Sequence, residues 1–426
     1  MTSASWPEAS PLWVGKPTLY AGVVASVLLV ETFSGALRYY FDLVGIAPLL
    51  YLPKLACVAV VALELPHLKV QRGVWLMLLV MLTSSLLALM HGVGPENVGF
   101  TLFAISPLLF GVVCARHLQR RMGTLGWVIG FCLFASLLGL LLDMFSEVPW
   151  KGYSYMMGET EVSGNRAWGD GEQDRPAGFS RMSTSLSVMI AIYSLFLSVL
   201  IGSRLLRLVL YAVSLAAILA STNKSTLVAY ALTLALMAVA CYRLPSAGAA
   251  LLAVVTGLAL PLISLMIHVD PNTVAGASDH VLASLNDRLA NSWPNLFALL
   301  VDEGWLWAGA GFGAVGSTQS AFPIPGQDLL TVADNTALYL WAIFGAVGVL
   351  LYLLWFPLLL RLQERGSPLR FALLLIVFCI CLVGWTTDVL EVPAASLFLG
   401  MAIGLVLAPS EARQRLSRRW NEAVVT

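Results

Sequence analysis

The sequence predicts an all-α polytopic membrane protein with about twelve transmembrane helices. Three observations lead there. Hydrophobic residues make up 59% of the chain and charged residues only 11%, against about a quarter charged in a soluble domain, so a water-facing surface cannot be covered. Mean hydropathy is +0.84, and apolar runs of about 20 residues, the length that crosses a bilayer as a helix, recur along the chain. Lys and Arg collect in alternate connections between those runs, the pattern that marks cytoplasmic loops. Disorder, a secreted disulfide scaffold and nucleic-acid binding are thereby excluded.

In order, the helices are expected at 18–37, 46–65, 73–91, 99–114, 125–143, 184–202, 206–221, 225–241, 246–267, 335–360, 370–387 and 391–408. The first has no basic n-region and no small-residue cleavage site, so it reads as a retained signal anchor. The basic connections hold Lys69 and Arg72; Arg116, Arg120 and Arg121; Arg204 and Arg207; Arg243; and Arg361, Arg365 and Arg370. A basic tail over 409–426 carries Arg413, Arg415, Arg418 and Arg419. Both termini are therefore expected in the cytoplasm, with 1–426 forming a single integral membrane domain. The six cysteines fall inside or beside apolar spans, where small core packing is their expected role.

Two long polar segments, 144–183 and 268–334, lie on the opposite, periplasmic side and are rich in Asp and Glu. Long loops of this kind are usually functional. In the second, Asp279 is placed to cap a helix through Leu282, Leu285 and Leu289, with Pro294 breaking it before another helix through Leu296 and Leu300. Two amphipathic helices so placed would roof a cavity.

Gly311-Phe-Gly-Ala-Val-Gly316 satisfies the dinucleotide fingerprint in letters. A polar loop follows it rather than a helix, so the glycines are expected to serve tight turns and close backbone approach. The five histidines are too scattered for a metal site.

Outward cations are the informative minority, because positive charge is biased to the cytoplasmic side. Arg175 and Arg181 precede the sixth span, Lys224 sits in the short turn Ser221-Thr-Asn-Lys-Ser225, and Arg288 lies on the first roof helix. Cations converging at membrane level suit a diphosphate, while pairing with Asp174 or Asp287 is the alternative. Asp334-Asn335 opens the tenth span, and a carboxylate there must cap the helix or do chemistry. Asp388 and Glu391 bracket the last outward turn, and Lys54 lies inside the second span.

Four segments, in this order, resemble the O-antigen ligase and polymerase family of the Wzy/WaaL type. Arg175-Pro-Ala-Gly-Phe179 resembles the family's Arg-x-x-Gly-Phe approach to a span, and Ser221–Ser225 its Ser-Arg-Gly turn. Arg288 with Trp293, then Gly309-Ala-Gly-Phe-Gly313, resembles the Arg…Trp…Gly-x-Gly stretch. Asp334-Asn-Thr-Ala-Leu338 followed by Phe344-Gly-Ala-Val-Gly348 is similar to the His-Asn-x-x-Leu…Gly-x-x-Gly signature. Lys224 replaces an Arg, and Asp334 replaces the His on which ligases rely. The absent His tilts the likeness toward the polymerase branch, within which the chain most resembles the exopolysaccharide polymerases of the xanthan type.

The resemblance implies glycosyl transfer from undecaprenyl-diphosphate-linked glycan to a hydroxyl of another lipid-linked repeat unit, with no cofactor, no metal and no nucleic acid. A polysaccharide co-polymerase is an implied partner beside the lipid bilayer. Arg175, Lys224, Arg288 and Arg181 are expected to hold the diphosphate, Asp334 and Asn335 to be catalytic, and Trp293, Asp388, Glu391 and Lys54 to line the substrate cavity. The alternatives are an O-antigen ligase acting on lipid A core and a twelve-helix transporter or flippase.

Overall fold

The computed structural model describes residues 15–68, 72–157, 160–165, 169–170, 173–239, 242–266, 283–364 and 367–407. Among the described residues, each apolar run expected from the sequence is helical over most of its length, and only two short antiparallel hairpins are added to the helices. The Asp279 cap, Leu282, His268, His280, Arg166, Asp279–Val281 and the basic tail lie outside the described residues.

The first half comprises α1 (Lys16–Thr32), α2 (Ser34–Leu43), α3 (Leu52–Glu64), α4 (Arg72–Met90), α5 (Pro95–Ala104), α6 (Ser106–Leu118) and α7 (Met122–Phe145). Then come α8 (Ser183–Leu200), α9 (Arg204–Ala220), α10 (Lys224–Val239) and α11 (Arg243–Ser264). The remainder comprises α12 (Ala283–Asp287), α13 (Trp293–Asp302), α14 (Thr318–Ala321), α15 (Thr336–Phe344), α16 (Ala346–Leu353), α17 (Trp355–Leu362), α18 (Pro368–Val383) and α19 (Pro393–Leu407).

Six helical stretches are long and apolar enough to cross a membrane, and a seventh if the bent pair α1–α2 is one span. The structure therefore shows six or seven stretches of spanning length where the sequence led to an expectation of twelve. Helices α10, α18 and α19 are shorter, at 16, 16 and 15 residues, or about 24 Å at 1.5 Å per residue against a core of about 30 Å. Buried position compensates for shortness in two of them: α18 and α19 are enclosed along nearly their whole length, as is α8. The outer helices α4, α7, α9 and α11 instead present large apolar side chains such as Leu76, Phe134, Leu208 and Leu252, a surface suited to lipid.

The helices expected over 18–37 and 335–360 are broken. The first span ends at Phe33 with an 83° bend into α2. The single helix expected over 335–360 is three pieces: it breaks at Gly345, which adopts φ +58° and has no room for a Cβ against the Trp307 carbonyl, and again at Leu354. The roof helices show the opposite error. Pro294 does not interrupt the chain, which runs from α12 through a π-helical turn, Arg288–Ser292, straight into α13. Proline near the start of a helix needs no amide partner, and the wider turn preceding it absorbs the missing hydrogen bond.

Backbone-to-backbone packing joins α6 to α19. Gly400 lies against the Leu108 carbonyl, Gly404 against Val112, and Gly111 answers from the other side against Leu397. Small residues spaced by four let two helices approach until dispersion contacts and weak Cα–H hydrogen bonds hold them, which is the available driving force inside a bilayer. At one end of the bundle Glu64 accepts hydrogen bonds from Lys16 Nζ at 2.6 Å and from the Tyr20 hydroxyl, tying α1 to α3. The described cysteines are buried within this core.

Candidate functional site

The glycine-rich stretch expected to turn tightly does so. Gly309, Gly311, Gly313 and Gly316 all have positive φ, and side chains at Gly311 and Gly313 would meet the backbone of Ala88 and Val98. Ala310 and Gly311 donate to the carbonyls of Ala342 and Ile343 at 2.7 and 3.1 Å. This strap ends at Ser317, whose amide donates to both carboxylate oxygens of Glu391 at 2.9 and 3.1 Å. The Tyr339 hydroxyl donates to the same group at 3.2 Å.

Next to it, the connection from Gly384 to Glu391 is woven into the start of α15. Asp388 accepts the amides of Ala333 and Asp334 on one oxygen, at 3.2 and 3.3 Å, and that of Asn335 on the other, at 3.2 Å. Three successive N–H groups can face one carboxylate because Asp334 is left-handed, at φ +52°. Only Thr222 shares that conformation among the described non-glycine residues, and it lies in the Ser221–Ser225 turn. Burial, and then the nearby Asp334 and Glu391, push the Asp388 carboxyl well above its ordinary range, against the pull of the amides. Glu391 is likewise pushed up by burial, with Ser317 and Tyr339 opposing.

Asn335, not Asp334, is the N-cap of α15. Its side-chain oxygen accepts the Leu338 amide at 2.8 Å, while its nitrogen donates to Gly257 and Trp385 carbonyls at 2.9 and 3.0 Å. The fully buried amide group is therefore committed to the fold. Asp334 is relieved of capping, and its side chain turns outward. There Oδ2 lies 3.1 Å from Arg288 Nε, with 32% of the Asp334 side chain and 19% of the Arg288 side chain exposed. Arg288 also donates to the Ser284 carbonyl and hydroxyl at 3.1 and 2.9 Å, so the π turn fixes its guanidinium. Fully buried Trp293 anchors this turn by donating to the Ala333 carbonyl at 3.2 Å.

Of the residues singled out in the sequence, Arg288, Trp293, Asp334, Asn335 and Asp388 thus meet directly, and Glu391 adjoins them. Lys54 reaches the same neighbourhood from α3, within electrostatic range of Glu391. Arg175 and Arg181 line a separate small recess with Asp143, Trp150, Lys151 and Asn165. There Asp143 accepts the amides of Ala177 and Gly178 at 2.6 and 2.9 Å, and Trp150 donates to the Gly178 carbonyl at 2.8 Å. Those bonds explain the Arg-x-x-Gly-Phe spacing: Gly178 has φ +61° and packs on Gly139 and Leu140. Lys224 is exposed at the first turn of α10, just after the Asn223 cap, which accepts the Thr226 amide at 3.0 Å.

Sequence reasoning missed Asp143, which organises the recess, and Glu31 and Arg38, which lie within electrostatic range of Lys54. Glu31 carried a usable signal, since an acid in the middle of an apolar run is costly without a partner. Compared with known proteins, the chain matches no family model and no curated sequence.

Proposed function

We propose that the chain is a polysaccharide polymerase. It transfers a glycan from undecaprenyl diphosphate to a hydroxyl of another lipid-linked repeat unit, at the periplasmic face of a bacterial inner membrane, with both termini in the cytoplasm. The reading is supported above all by the Arg288–Asp334 pair, a cation and a carboxylate side by side and partly exposed on an otherwise buried frame.

In the proposed reaction the acceptor oxygen forms a bond to the anomeric carbon as the bond from that carbon to the diphosphate breaks. Asp334 takes the hydroxyl proton, and Arg288 offsets charge developing on the departing diphosphate. Diphosphate binding to Arg288 would also draw the guanidinium from Asp334, leaving both carboxylate oxygens available as the base. Asp388 is a positioning residue in this scheme, because it holds the backbone of Asp334 rather than the substrate. Arg175 and Arg181 line the separate recess and are not assigned to this diphosphate.

Purified protein in lipid vesicles, supplied with lipid-linked repeat units alone, should build polymer. Product formed only when a lipid A core acceptor is added would replace polymerase with ligase. An unreacted donor under both conditions would reject glycosyl transfer.

A further inference from the structure

A polymerase of lipid-linked units handles two diphosphates at once, one on the donor and one on the acceptor, whereas Arg288 and Asp334 form a single anion position. The described residues hold a second concentration of cations. Arg38, on the bent-away helix α2, donates to the Tyr155 hydroxyl at 2.7 Å, and its guanidinium carbon lies 5.2 Å from that ring's centre. Arg181 Nε donates to the Gly164 carbonyl at 2.7 Å. Gly164 separates the two arginines so narrowly that a Cβ on it would sit 3.1 Å from Arg38 Cδ.

Lys54 completes the group from the first turn of α3, its ammonium 5.5 Å from the Phe103 ring centre. Glu31, Arg38 and Arg181 all lie within its electrostatic range. Each of these four side chains keeps some accessible surface despite its depth in the fold. Glu31 lies within electrostatic range of all three cations, and the Arg38 Nε is enclosed with no hydrogen-bond partner among the described residues. Glu391 is within electrostatic range of both Lys54 and Asp388.

We propose that Arg38, Lys54 and Arg181 form a second diphosphate subsite, which holds the lipid-linked acceptor while Arg288 serves the donor. The assignment to acceptor rests on the polymerase reading; the presence of a second anion subsite does not. The Tyr155 hydroxyl fixes one arginine, and the Gly164 carbonyl fixes the other, so both guanidinium groups are oriented before ligand arrives. The bend at Phe33 has a role in this arrangement, because a straight first span would carry Arg38 away from α3.

The test is titration of the full-length protein in lipid nanodiscs with farnesyl diphosphate. Wild type should bind two molecules. Arg38→Gln and Lys54→Met should each weaken one site at least tenfold and leave the other unchanged, and Arg288→Gln should do the converse. The retained site in each variant reports that the protein is folded. Two unaltered sites in both Arg38→Gln and Lys54→Met, or one site in wild type, would overturn the proposal. Competition by glucuronate at equal concentration would also overturn it, by assigning the cations to a sugar carboxylate. Two sites in a protein that makes no polymer from lipid-linked units would instead reject the polymerase reading and leave the subsite standing.

Discussion

Asp388 Oδ2 accepts the backbone amide of Asp334 at 3.3 Å, across 54 positions of sequence. One carboxylate thereby sets the direction of another. The amides of Ala333 and Asn335 complete the grip, and Asp334, freed from capping α15, points to Arg288.

Arg288→Ala should abolish polymer while single repeat units accumulate on lipid, checked by gel analysis of extracted glycolipids. Asp334→Asn keeps the side chain's shape and removes the base, so the transfer rate should fall by about 10² to 10⁴. Normal chain length in a stably expressed Arg288→Ala protein, or full activity of Asp334→Asn, would remove these roles.

Asp388→Asn replaces one of two accepting oxygens with a donor that faces amide hydrogens. The loss should cost about 1–3 kcal/mol, the penalty for a buried donor left unpaired, and activity should fall with it. Because its carboxyl is raised in the folded protein, Asp388 contributes stability that is complete at low pH. That contribution is lost as pH climbs through the raised value. Thermal unfolding of Asp388→Asn followed against pH should lack this component.

Asp143→Ala leaves the Ala177 and Gly178 amides without their acceptor and removes the carboxylate 3.5 Å from Lys151. Stability should drop by about 1–3 kcal/mol. The recess holding Arg175 and Arg181 should loosen, so proteolysis within 144–183 should accelerate while the rest of the chain resists.

Gly404→Leu forces a branched side chain onto the Val112 carbonyl. Overpacking of this kind costs about 1–3 kcal/mol, and detergent-solubilised protein should unfold at lower temperature. Leu252→Ala, on the outward-facing side of α11, is the control and should change little.

Much of the site was legible before any coordinates. Asp334, Asn335 and Asp388 stood out as polar groups at the mouths of apolar helices, where burial demands a purpose, Arg288 as an outward cation, and Trp293 through the family resemblance. Their division of labour was not legible. Adjacent Asp334 and Asn335 both suit an N-cap, and only the left-handed backbone of Asp334, held by Asp388, gives the cap to Asn335. Arg175 and Arg181 looked equivalent to Arg288 as outward cations, yet they belong to a recess organised by Asp143.

By itself the sequence determined that this is a helical membrane protein, where each apolar run lies, and that acids and a few cations crowd the connections between them. Those are local properties: hydropathy over about 20 residues reports whether one helix can exist in lipid. Tertiary structure alone decided that the first span bends at Phe33, that the tenth breaks at Gly345, and that Pro294 is carried through a π turn. It also decided which carboxylate is a clamp and which faces outward. The physical reason is range. A hydrogen bond from residue 334 to residue 388 depends on how α15, α18 and α19 pack, and no periodicity within any one of them encodes that distance.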